Sequence, residues 1–144
     1  MATGRFLIDL TDQRLKTPQN HDVVDYIRRT NPSAHSDVAD ALIRAAKGLA
    51  GVSHYCPAPA NYAFVVLHTS ADRIFAIAYG QHGLAFRLPE TAIAEALADR
   101  GTAQTAIGPG WVMFPPWPVD ELTAVTKARL KRWCERAYRH ALIA

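Results

Sequence analysis

Two hydrophobic periods divide this chain. From Ser36 the apolar positions Val38, Leu42, Ala45 and Leu49 recur at helical spacing. Ser36, followed by Asp37, is suited to cap the helix, and Gly48 and Gly51 to stop it, so three to four turns are predicted over about 36–49. Pro57 and Pro59 then exclude regular structure from 53–60. Three short apolar runs follow, Tyr62 to Leu67, Arg73 to Tyr79 and Leu84 to Leu88, and their close order predicts an antiparallel meander. The first turn, Thr69-Ser70-Ala71-Asp72, is polar, and the second, Gly80-Gln81-His82-Gly83, offers two glycines for positive φ. Leu84, Phe86 and Leu88 alternate with Ala85 and Arg87, so one face of that strand is expected on a core and Arg87 away from it.

Beyond Pro89 the helical period returns, with Ile93 and Leu97 on the buried stripe and Gly101 as the stop. After Gly108-Pro109-Gly110, Trp111 to Phe114 reads as a fourth strand, which Pro115, Pro116 and Pro118 end. Asp120 is placed to cap the longest helix, from Glu121 to about Leu142, with Leu122, Val125, Leu130, Trp133, Ala137 and Ala141 toward the body of the protein. Residues 1–35 are polar and irregular by comparison, with a short helix predicted from Asp22 to Arg29 between Pro18 and Thr30-Asn31-Pro32-Ser33. That segment is expected to form a partner arm or to cover a sheet edge. The pattern as a whole predicts an α+β fold over 36–144: one domain, a mainly antiparallel sheet of about four strands packed with helices, and a long basic C-terminal helix.

Composition agrees with a single packed domain, since 49% of 144 residues are apolar. Met1 to Asp12 contains only the brief apolar run Phe6-Leu7-Ile8, which is no signal-peptide core, and no stretch approaches the roughly 20 apolar residues of a membrane span. Cys56 and Cys134 lack the paired spacing of a disulfide framework or a zinc site, so a cytoplasmic setting is expected, with no membrane partner. Charge changes the picture more through its distribution than its total. Lys127, Arg129, Lys131, Arg132, Arg136 and Arg139 stand against Glu135 alone, giving that segment +5 of a net +3 and leaving −2 elsewhere.

The succession Ile74-Phe75-Ala76-Ile77, Gly83-Leu84-Ala85-Phe86-Arg87-Leu88-Pro89, a helix, Gly110-Trp111-Val112 and a closing helix with Ala137-Tyr138-Arg139 resembles the small YjbR-like domains and the N-terminal domain of TfoX-like proteins. A similar rhythm occurs in an uncharacterised luciferase-like family. The resemblance covers roughly the second half of the chain. It implies a compact α+β fold and brings no catalytic residue with it.

The residues themselves offer three chemistries. A groove over the sheet would be lined by Tyr79, His82, Arg87, Trp111 and Trp117, with Phe114 nearby, joining apolar walls to a few polar anchors. The competing reading puts Trp111 and Phe114 in the core and Trp117 over a proline turn. Arg129, Arg132, Arg136 and Arg139 recur at intervals of three, four and three, a stripe able to neutralise phosphates or simply to solvate a helix face. His54 and Cys56 would lie on the same side of an extended segment, where a thiol and its base can meet, although a free cysteine is more often a small core residue.

Other signals are weaker. His54, Cys56, His68 and His82 lack zinc-ligand spacing, and His68 and His82 are expected at the surface of the two turns. Asp72, Glu90, Glu95, Asp99, Asp120 and Glu121 fall where carboxylates stabilise turns and helix starts. No phosphate loop, nucleophile elbow or dinucleotide fingerprint is found, and Pro115 to Pro118 fits a Pro-x-x-Pro ligand only formally. The expected function is therefore a non-enzymatic binding or interaction domain without cofactor or metal, taking a protein or small-molecule ligand at the groove. Nucleic-acid or acidic-partner binding through the C-terminal helix is the alternative, and a small Cys/His enzyme the third.

Overall fold

A computed structural model describes residues 13–30, 36–56, 64–79, 83–103, 106–114 and 124–143. After two short 3-10 helices, Gln13–Leu15 and Pro18–Asn20, ten α-helices and strands are described: α1 (His21–Thr30), α2 (Ser36–Ala45), β1 (Ser53–Tyr55), β2 (Val65–His68), β3 (Ile74–Tyr79), β4 (Gly83–Arg87), α3 (Glu90–Ala98), β5 (Thr102–Ala103), β6 (Trp111–Phe114) and α4 (Ala124–Ile143). The fold is α+β, and its sheet has six strands rather than the expected four, in the order β1-β2-β3-β4-β6-β5. Every pairing is antiparallel. The two strands that the hydrophobic pattern missed lie at the sheet edges. β1 is three residues and largely exposed, and β5 is two exposed residues, so neither carries an alternating apolar signal.

The central strands are buried on both faces, which is why β2 and β3 read as continuous apolar runs. One face carries Val65, Leu67, Ala78, Phe86, Val112 and Phe114 against α2, α3 and α4. The other carries Val66, Ile77, Ala85 and Trp111 against Leu15 and the α1 residues Val23, Val24, Tyr26 and Ile27. The described part of the segment read as an irregular arm, residues 13–30, is thus a structural layer. Its helix is sharply amphipathic, and its buried positions follow the i, i+1, i+3, i+4 pattern of a helix lying on a sheet.

Register within the sheet has one irregularity with a visible purpose. Leu67 pairs with Ala76 but His68 with Ile74, so Phe75 is an extra residue in β3. The bulge turns Phe75 and Ala76 toward the same helical layer, where the Phe75 ring meets Tyr138 of α4 edge-on at 5.9 Å. The β2–β3 turn takes its positive φ at Asp72 (62°), and Thr69 closes it by accepting the Asp72 amide at 2.9 Å and donating its own amide to Arg73 O at 3.0 Å. In the next turn Gly83 is needed for closeness rather than for φ: a Cβ there would stand 2.8 Å from Tyr79 O and 3.0 Å from the Tyr79 ring. Residues 80–82 of that turn are outside the described set.

Asn20 joins the N-terminal layer to this hairpin. Fully buried, its Nδ2 donates to Leu15 O and Asp72 O, both at 2.8 Å, and its Oδ1 accepts the Ile74 amide at 2.8 Å. His68, expected at the surface, is buried, with Nδ1 3.1 Å from Thr69 O and 3.8 Å from Asp72 Oδ1.

Candidate functional site

The groove expected over Tyr79, Arg87 and Trp111 is filled by α1. Asp22, in its first turn, takes both guanidinium nitrogens of Arg87 at 2.8 Å, one on each carboxylate oxygen, and the Trp111 indole N–H at 2.8 Å. The guanidinium also stacks 4.8 Å above the Trp111 ring. Arg87 does not point into solvent as its alternation predicted, because the strand is buried on both faces and its side chain is only 12% exposed. Trp111 belongs to the core beneath α1, and Tyr79 packs edge-on against Tyr26 at 5.7 Å. Phe114 is buried on the other face, stacked on Trp133 at 5.5 Å. His82 and Trp117 lie outside the described residues.

Burial pushes the Asp22 carboxyl up, but the bonds and charge of Arg87, the Trp111 indole and the Val23 amide outweigh it and hold it below the usual carboxylate range. Gly108 backs the pair: its φ is 151°, and a Cβ there would press to 3.4 Å from Asp22 Cβ. This constellation ties α1, β4 and β6 together, its carboxylate, guanidinium and indole N–H engaged with one another.

The arginine stripe is also largely engaged. Asp99, at the C-cap of α3, accepts Arg129 Nε at 3.2 Å and the Trp133 indole N–H at 2.7 Å. Glu95 accepts Arg136 at 2.8 Å and Arg132 on its other oxygen, while both guanidinium groups sit over the Trp133 ring at 4.7 and 5.3 Å. Hydrogen bonding from Arg136 holds the Glu95 carboxyl below its ordinary value, and that from Trp133 does the same for Asp99. These acids therefore bind the side chains of α4 rather than helix-start amides. Of the four stripe residues, Arg139 alone makes no ion pair among the described residues.

The other side of α4 presents a different surface. Lys127 and Lys131, one turn apart, face the last turn of α2, where Ala41 and Ala45 are too small to fill the space opposite Leu130. The result is a cleft of about 180 Å³ with an apolar floor of Ala41, Ala45 and Leu130 and a rim of Arg44, Lys127 and Lys131. Lys131 is steadied by Lys47 O at 3.2 Å and by Glu135 at 3.7 Å. Arg44 and Lys127 are exposed and make no ion pair among the described residues. The basic segment pointed to the two lysines, but Arg44, more than eighty residues upstream, gave no signal because only the packing of α2 on α4 brings it there.

The proposed Cys/His pair divides between environments. Cys56 packs against the core on the α4 side, and His54 is exposed on β1. Cys134 is fully buried, and burial pushes its thiol up to about 12. Among the described residues no group of three or more His, Cys, Asp or Glu is disposed to hold a metal, and no helix is long and apolar enough to cross a membrane.

Comparison of the chain with protein-family models, curated proteins and solved structures returned no match.

Proposed function

We propose that this chain is a non-catalytic binding domain that seats an acidic segment of a partner protein in the cleft between α2 and α4. The observation that carries the reading is the apolar floor ringed by Arg44, Lys127 and Lys131. Cations at the rim of a low-dielectric concavity focus their field on what enters it. Size favours a partner's side chain over a whole small molecule, since about 180 Å³ falls below the roughly 300–1,000 Å³ of ligand pockets. Nucleic acid is the weaker fit, because the described aromatic side chains are buried or half-buried and offer no exposed platform on which bases could stack. The reading moves the acidic-partner role of the basic helix from its arginine stripe to its lysine side. It stays within what the likeness to YjbR-like and TfoX-like domains implies, a compact module without a catalytic residue of its own. A cytoplasmic setting suits two cysteines that form no disulfide among the described residues.

The test is fluorescence anisotropy with a labelled peptide of alternating Glu and Leu, against a single-stranded oligonucleotide of equal charge. Arg44→Glu with Lys127→Glu is expected to weaken peptide binding at least about tenfold, and Arg132→Ala with Arg136→Ala to change it less than about twofold. Peptide binding indifferent to the cleft reversal would remove the reading. Tighter binding of the oligonucleotide would transfer it to nucleic acid.

A further inference from the structure

α3 carries apolar residues on both of its sides. Ala92 and Ala96 are buried against the sheet. At about 3.6 residues per turn the opposite side is centred on Ala94, with Thr91, Leu97 and Ala98 around it, and all four are exposed. The outward sides of the other long helices are built differently. α1 shows Asp25, Arg28 and Arg29 to solvent, and α4 shows Lys127, Lys131, Arg132 and Arg139. A helix apolar all round belongs in an interior, yet α3 is covered on one side only.

Charge marks the two ends of this strip. Glu90 opens α3 and Arg100 follows its last turn, both exposed and about 15 Å apart along the helix. Arg100 holds a φ of 70°, the left-handed conformation that glycine supplies at most helix ends, so the arginine is kept there at a backbone cost. A strip that is apolar in the middle, acidic at one end and basic at the other is complementary to itself when a second copy is turned end for end.

We infer that a second copy of this chain packs antiparallel on the outer face of α3, with the twofold axis beside Ala94 and Glu90 of each copy opposite Arg100 of the other. Alanine at the crossing lets the two helices approach closely, and Leu97 of each copy lies against the small side chains of the other. β5, the outermost strand of the sheet, touches α3 and exposes Thr102 and Ala103, so the same contact shields an open sheet edge. An unrelated protein could match the apolar strip, but only a reversed copy must match its charges at the same spacing. The face shares no residue with the α2–α4 cleft, and neither proposal depends on the other. Nine residues of helix extend about 14 Å, so the contact is small and a dissociation constant of about 10⁻⁴ M is expected.

Sedimentation velocity of the full chain at low salt, from about 10 μM to about 1 mM, is expected to show a monomer passing to a dimer. Ala94→Glu keeps a good helix former at an exposed position but sets two carboxylates together at the axis, and it is expected to weaken dimerisation at least about tenfold. Glu90→Arg and Arg100→Glu each set like charges opposite one another and are expected to weaken it about fivefold. Mixing those two variants in equal amounts pairs a doubly basic strip with a doubly acidic one, and the mixture is expected to return to within about twofold of the native affinity. That recovery separates a contact between copies from a loss of folding in either variant. Overturning results are a chain that stays monomeric to about 1 mM, a dimer indifferent to Ala94→Glu, or a mixture that associates no more tightly than its components.

Discussion

Asp22 and Asp99 do the same chemical work on opposite faces of one sheet, each carboxylate taking an indole N–H and a guanidinium from elements distant in sequence. The first joins α1 to β4 and β6, and the second joins the end of α3 to α4. They differ in how completely the ion pair is withdrawn from water. Arg87 and Asp22 keep 12% and 25% of their side-chain surface, against 20% and 31% for Arg129 and Asp99.

That difference sets the first prediction. Asp22→Ala takes the counter-charge and two bonds from a guanidinium that then keeps only its long Nε bond to Ile74 O, 3.4 Å, and takes the acceptor from the Trp111 indole N–H, and it is expected to cost about 3 kcal/mol. Asp99→Ala leaves the Trp133 indole N–H equally buried but a guanidinium that is nearer solvent, and is expected to cost less, about 1 to 2 kcal/mol. Urea unfolding of both variants checks the ranking, and an equal loss would show that burial does not separate the two constellations.

Acid should act through the same carboxylate. Asp22 titrates below its ordinary value of 3.8 in the folded protein, so the stability it adds is present above that value and is lost as pH falls through the folded value. The difference in unfolding free energy between the native chain and Asp22→Asn is therefore expected to be constant near neutrality and to shrink below about pH 4. A difference that instead grew on acidification would reverse the sign assigned to Asp22.

Asn20 is the buried counterpart of these charged anchors. Asn20→Ala removes its bonds to the Ile74 amide and the Leu15 carbonyl, both buried, and to the part-buried Asp72 carbonyl. A loss of about 3 kcal/mol is expected, at the upper end for a single polar residue. Hydrogen exchange should localise it, with the Ile74 amide losing protection before the β4–β6 pairing.

What the sequence disclosed depended on how local its signal was. The meander, β6 and the buried positions Leu130, Trp133, Ala137 and Ala141 of α4 follow from periodicity within a few turns of chain, whereas α3 was placed correctly but on the wrong stripe: Ala92 and Ala96 are buried, Ile93 is half-buried and Leu97 is 43% exposed, because the small alanines let the helix lie close on the sheet. β1 and β5 escaped because two or three exposed residues form no pattern, and they are strands only through pairing with β2 and β6. Arg87 was misread for a physical reason: alternation says that two residues face opposite sides, not that one side is water. The far side was already covered, by a helix whose Asp22 is 65 residues away. The α2–α4 cleft was legible only in part, since Lys127 and Lys131 stand in the basic run while Arg44 gives no local sign of joining them.

The two thiols should separate cleanly in reactivity. Cys134 is sealed in the core with its thiol pushed up to about 12, whereas Cys56 is partly exposed. Only thiolate attacks a disulfide probe, so at neutral pH Cys134 is expected to label at least about a thousandfold more slowly than Cys56 and to become reactive on unfolding. Mass spectrometry after brief labelling should find one modified cysteine. Rapid labelling of Cys134 in the native protein would mean that α4 opens from the sheet far more often than its packing implies.

The arginine stripe gives the last prediction, because its charge is present but internally matched. Glu95 holds Arg132 and Arg136 together against the Trp133 ring, so a polyanion must compete with a carboxylate already in place. Glu95→Gln removes the competing charge and leaves both guanidinium groups on the surface. Counterion release makes the salt dependence of polyanion binding count the phosphates neutralised, each adding about 0.9 to the slope on duplex DNA. Affinity for nonspecific duplex DNA at low salt is therefore expected to rise in Glu95→Gln, with the slope of log K against log salt steeper by about 2. An unchanged slope would mean that the two arginines already meet the polyanion in the native chain, and that Glu95 does not mask them.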